Sequence, residues 1–129
     1  MDEEIGLGAS TALPADLEEL LVVDMAVLGA IQNSDEFTAG ICAKDSGGPY
    51  STRMTDKLVK LATQHAIPYK LDTYPFYGSD GGAYARAGGQ ARVGLIGPGV
   101  DGSHAYERTH RDGLSYTAHL IARYLIDPS

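Results

Sequence analysis

Residues 20–29, LLVVDMAVLG, form a continuous apolar run with β-branched members around a single aspartate. A run of this length and composition reads as a buried strand rather than a half-exposed alternating one, and Asp24 falls at its end. TAGICAK and ARVGLIGPGV repeat the pattern later in the chain, and IPYKLDTYPF adds a further strand. Between them, Met54, Leu58, Leu61 and Ala62 recur at helical spacing, which predicts an amphipathic helix over 51–65, capped by Ser51 or Thr52 and ended before Pro68. Ser79 or Asp80 caps a short helix reaching Arg86, with Gly88 and Gly89 at its close. A closing helix over 112–126 is predicted with Leu114, Ala118, Leu120, Ile121, Tyr124 and Leu125 as its apolar positions. Strands alternating with helices predict an α/β fold whose mostly parallel sheet is flanked by helices.

The chain of 129 residues suits a single domain, and no repeat, linker or low-complexity tract divides it. Seventeen acidic against ten basic side chains leave a net charge of −7, which repels phosphate backbones and anionic lipid. Nucleic acid and membrane surfaces are therefore not expected partners. No run approaches the roughly 20 apolar residues that span a bilayer, and the N-terminus is acidic where a signal peptide is basic. Cys42, the one cysteine, lies in an apolar setting and reads as a buried thiol in a reducing compartment, which makes the cytoplasm the expected location.

In an open α/β sheet, ligands bind beyond the carboxyl ends of the strands. Asp24, the YGSD loop and His104 are expected at such ends, and Glu3 and Glu4 join them if the residues before them once formed a strand. Glutamate, aspartate and histidine on one rim are the ligand set of a hydrolytic zinc, cobalt or manganese site, with one further carboxylate free to move a proton. Each also has a plain structural reading: Glu3 and Glu4 as a solvated pair, Asp24 as a helix cap, His104 as a surface residue, Asp80 as a cap. His110 reads as a neighbour of a helix start, and His65 and His119 as packing or surface residues. Ser79 lacks the G-x-S-x-G elbow of a nucleophile, and GPGVDG fails the dinucleotide fingerprint.

Taken in order, EEIGLGAS, VVDMAV, ICAKDSGGPYS, IPYKLDTYPFYGSDGGAYARAG, VGLIGPGVDGSHAYERTH and DGL resemble the C-terminal portion of the tetrahedral-aminopeptidase family of di-metal metallopeptidases. That family includes glutamyl aminopeptidases, deblocking aminopeptidases and proteins labelled endoglucanase M. The resemblance implies a partial zinc-aminopeptidase-like catalytic domain over 1–129, with peptide as substrate and two divalent ions, zinc or cobalt, as cofactors. It implies Glu3 as the general base, Glu4 and His104 as ligands of one ion, Asp24 as a ligand of the other, and Ser79 and Asp80 as substrate contacts. The family's upstream histidine and bridging aspartate, and its inserted β-barrel domain, have no counterpart in these residues. The chain alone is accordingly expected to be inactive or weakly active, and to self-associate or to need a separately encoded N-terminal half. The rival expectation is a non-enzymatic assembly module.

Overall fold

The computed structural model describes residues 2–11 and 13–127. Its elements in chain order are β1 (Glu19–Val23), β2 (Ala26–Val27), β3 (Ala39–Asp45), β4 (Gly48–Pro49), α1 (Thr52–Gln64), β5 (Tyr69–Tyr74), α2 (Asp80–Arg86), β6 (Arg92–Val100) and α3 (Arg111–Ile126). These form the expected α/β arrangement, a six-stranded sheet flanked by helices. β1 and β2 run parallel to β6, and β5 runs parallel to β3. The central β3/β6 pairing and the short β3/β4 pairing are antiparallel.

β6 joins the two halves of the sheet. In its register, Ile41 faces Ile96 and Cys42 faces Leu95. Side chains alternate between faces along a strand, so these pairs separate two apolar layers. Ile41 and Ile96 join Met54, Leu58 and Leu61 of α1 and Leu120 of α3. Cys42 and Leu95 join Ala26, Val27, Tyr50 and Tyr74 on the opposite face. Cys42 is buried there as expected, and burial pushes its thiol up to about 12, which makes it inert at neutral pH.

The run LLVVDMAVLG differs from a single buried strand. It breaks at Asp24 and Met25 into β1 and β2, although both pieces keep one register on β6, with Val23 opposite Ile96 and Ala26 opposite Gly99. The Asp24 N–H donates to the Ile96 carbonyl at 3.0 Å. Gly97 makes this approach possible, because a Cβ there would run into the Asp24 carbonyl. β1 pairs with β6 alone among the described strands and is an edge, so Val23 remains 52% exposed.

Ser51 caps α1, which buries Met54, Leu58, Leu61 and Ala62 as its spacing predicts. α3 matches its expected face in part: Leu120 and Tyr124 are buried, together with Gly113 and Thr117, while Leu114 and Leu125 are exposed. The backbone of Glu36 passes so close to Gly113 that a Cβ there would meet the Glu36 carbonyl at 2.5 Å. Gly113 thus sets how closely the start of the helix approaches, and Leu120 and Tyr124 fill the core beyond it. His110 caps it, accepting the Asp112 N–H, in keeping with its predicted place beside a helix start.

At the far end of α3 the Tyr124 hydroxyl donates to Glu19. That bond, with Lys57 and Arg92 nearby, holds the Glu19 carboxyl below its ordinary range despite partial burial. A depressed native pKa contributes stability above the unfolded carboxylate range and loses it as pH falls through the native value. Tyr124→Phe is expected to cost about 1 to 2 kcal/mol at pH 7. The deficit should shrink toward strongly acidic pH, as urea unfolding across pH 2–7 would show.

Candidate functional site

The residues expected on one rim do converge. Glu3, Glu4, Asp24 and His104 line a single cavity with Met25, Asp45, Tyr74, Tyr77 and Leu95. Its floor is the Cys42/Leu95 face of the sheet, and its walls come from five separate segments.

Each segment has a local reason for its place. Residues 2–8 form hydrogen-bonded turns, with the Gly6 N–H donating to Glu3 and the Leu7 N–H to Asp2. Asp24 sits at the break between β1 and β2, where its Oδ1 accepts the Met25 N–H at 2.7 Å. His104 adopts φ 62, a left-handed conformation uncommon outside glycine. A closed loop holds it there: Asp101 and Arg108 bridge through both backbone bonds, and the Arg108 guanidinium reaches Glu36 at 2.6 Å and Asp101 at 3.2 Å. The His104 N–H donates to Glu107 within that loop.

The loop after β5 departs from the strand-end rule. β5 runs with β3 and therefore opposite to β6, so the YGSD segment leaves the sheet at the end away from the β6 C-terminus. It folds back over the face instead, and the Tyr77 ring stacks toward His104 at 6.5 Å between centroids. Ser46 secures the return, its N–H and hydroxyl both donating to the Tyr77 carbonyl.

Ser79 and Asp80 meet different fates. The Ser79 hydroxyl caps α2 by accepting the Gly81 N–H and shares a 2.6 Å bond with the Tyr50 hydroxyl. Its polar capacity is spent on structure. Asp80 begins α2 and faces the acidic cluster, where its charge helps raise the carboxyls of both Glu3 and Asp24. Burial is the larger cause at each, and the His104 side chain opposes it.

Sequence reasoning reached Tyr77 only as part of the YGSD loop and missed Asp45. Asp45 is 3% exposed and accepts from the Tyr50 hydroxyl and the Gly47 N–H. Its signal was present, since it ends an apolar strand as Asp24 does. Ala43 is an extra residue in β3, between the Cys42/Asp72 and Lys44/Thr73 pairs, and this bulge turns Asp45 toward the site face.

The fit to metal is partial. Glu4 Oε2 and His104 Nδ1 lie 3.3 Å apart, and two donors each about 2.0 to 2.1 Å from one tetrahedral ion are separated by about 3.3 Å. The donor types and spacing suit one ion. The count does not close a site, because no group of three or more His, Cys, Asp or Glu able to hold an ion occurs among the described residues.

A mixed sheet between helices, with carboxylates and an imidazole gathered over one face, has the donor chemistry of the metallohydrolases. Solved aminopeptidases share its fold. The structure titled PhTET1-12s, a dodecamer in its asymmetric unit, superposes with a TM-score of 0.81 at 19% identity, covering 96% of this chain and 39% of that one. Aminopeptidase APDkam598 from Desulfurococcus kamchatkensis gives 0.80 at 19% identity, covering all of this chain and 39% of its own. Residues 1–120 match the M42 glutamyl aminopeptidase family, and the chain belongs to it. The Bacillus subtilis (strain 168) protein named "Putative aminopeptidase YhfE" is 47% identical over 127 residues, which are 98% of this chain and 37% of that protein. The chain thus spans well under half the length of these relatives and corresponds to a C-terminal part of the family.

Tyr50→Phe removes the hydroxyl that both satisfies buried Asp45 and ties β4 to α2. It is expected to destabilise the chain by about 1 to 3 kcal/mol, read as a lowered urea midpoint with unchanged slope.

Proposed function

We propose that this chain is the C-terminal catalytic-domain segment of a cytoplasmic metal-dependent aminopeptidase, a hydrolase that removes N-terminal residues from peptides. The carrying observation is the convergence of Glu3, Glu4, Asp24 and His104 on one cavity in a chain of the M42 family. Residues 1–129 act in this reading as one domain segment, while upstream ligands and an inserted β-barrel domain belong to other parts of such an enzyme.

Glu4 and His104 would hold one divalent ion, zinc or cobalt, and Asp24 would contribute to a second. Bound ions supply Lewis acidity toward the scissile carbonyl. Glu3, with its raised carboxyl, takes the proton of the attacking water and passes it to the leaving amine. Asp80 presents a negative charge to the peptide's α-ammonium, and Ser79 fixes the helix that carries it. Two ligands for one ion and one for the other bind weakly, so the chain by itself is inactive or nearly so.

No helix among the described residues is long and apolar enough to cross a membrane. The Pyrococcus horikoshii TET1 peptidase assembles into a tetrahedron or a large octahedral shell. We extend assembly to this chain as self-association or pairing with a segment supplying the absent ligands. The open β1 edge favours this, being a parallel edge with a half-exposed apolar strand. A purely structural assembly module is the alternative reading.

Hydrolysis of aminoacyl anilides tests the proposal. The purified chain should show none, and adding the preceding portion of the Bacillus subtilis relative should restore chelator-sensitive turnover. Glu3→Gln in the restored complex should lower kcat by about 10²- to 10⁴-fold. Turnover by the chain alone, or an active Glu3→Gln complex, would contradict the reading.

A further inference from the structure

We infer that the β5 edge of the sheet is a latent pairing surface for a second copy of this chain, held shut by a strap of side chains from residues 32–34. The inference stands apart from the peptidase reading, since it involves neither a metal nor a substrate. β5 pairs with β3 alone among the described strands, so it is an edge of the sheet as β1 is.

An edge strand turns the N–H and C=O groups of every second residue away from its neighbour and leaves them without a ladder. On β5 the segment after β2 fills that place. The Asn33 side-chain amide donates to the Leu71 carbonyl at 3.0 Å. Gln32, with its amide turned to donate, reaches the Thr73 carbonyl at 2.8 Å and Asp72 Oδ1 at 3.0 Å. The Thr73 N–H donates to the same Asp72 Oδ1 at 2.8 Å. Asp72 then holds the strap from the other side, its Oδ2 accepting the N–H groups of Asn33 and Ser34 and the Ser34 hydroxyl, each at 2.8 Å. Two side-chain amides thus stand where the N–H groups of an added strand would lie. The carboxylate that anchors them is buried, and these donors are what make its burial tolerable.

These bonds identify Leu71 and Thr73, and with them Tyr69, as the residues whose backbone faces outward. An antiparallel partner must bond to those positions. A second copy of β5 meets the requirement with complementary charge. When Leu71 lies opposite Leu71 across a two-fold axis, Tyr69 falls opposite Thr73, and Lys70 of each copy falls opposite Asp72 of the other. Opposite charges directly across a pair of strands stabilise it. Moving the register two residues either way, the smallest step that keeps the outward residues bonded, sets Lys70 against Lys70 or Asp72 against Asp72, and like charges there destabilise. The strand therefore favours one self-pairing register, and the strap denies it.

Gln32→Ala combined with Asn33→Ala removes both amides from the edge while leaving the backbone bonds of residues 33 and 34 to Asp72 in place. Sedimentation velocity and amide hydrogen exchange of the whole 129-residue chain, each over a range of protein concentrations, read the outcome. The double variant should self-associate about tenfold tighter than the unaltered chain. Exchange at the Leu71 amide should slow as its concentration rises, whereas in the unaltered chain it should not change. Lys70→Glu added to the double variant should abolish both effects. Asn33→Ala alone, with Gln32 still on Thr73, should give a smaller gain in the same direction and carries the test if the double variant does not fold. Association no tighter than that of the unaltered chain, association without protection of Leu71, or pairing indifferent to Lys70→Glu would overturn the inference. Protection of Leu71 by association of the unaltered chain would overturn it equally, by showing that the strap does not close the edge.

Discussion

Everything at the site depends on how closely β1 and β2 approach β6 at Gly97. The missing side chain lets the Asp24 carbonyl lie against the β6 backbone while its N–H bonds to Ile96. That pinch breaks an apolar strand at its one acidic residue without losing register on either side. Asp24 is thereby turned over the Cys42/Leu95 face, and the same β6 continues into the loop that holds His104. One strand fixes the two residues expected to serve different ions.

Four carboxylates around such a point need a reason to coexist. Burial, and after it mutual repulsion, raise Glu3 and Asp24, and the His104 side chain offsets part of that cost. Divalent cations would offset more, which is the physical sense of gathering them. The Arg108 clamp on Glu36 and Asp101 serves this by closing the loop around a histidine in a left-handed conformation. The bulge at Ala43 serves it by turning Asp45 under the return of the YGSD loop.

Much of this was legible in the chain itself. Apolar runs marked β1, β3, β5 and β6, the period of Met54, Leu58 and Leu61 marked α1, and acids or histidine at strand ends marked Asp24 and His104. Local pattern could not show that β3 and β6 run antiparallel, since pairing of distant segments leaves no trace in either alone. For that reason the YGSD loop, which follows the carboxyl end of β5 as expected, leaves the sheet away from the β6 C-terminus and reaches the site by folding back. α3 buries Leu120 and Tyr124 of its expected apolar positions, whereas Leu114 and Leu125 turn outward because close approach at Gly113 also decides its seating.

The central claim is that these residues form one half of a metal site, with Glu4 and His104 as its paired donors. Titration of the chain with Zn²⁺, followed by NMR of the histidine side chains and backbone amides, tests it most directly. The account predicts that His104 and Glu4 respond first, that binding stays weak, and that His104→Ala removes the response. Tight binding, or a first response at the exposed His110/Asp112 or His65/His119 pairs with His104 unmoved, would contradict it.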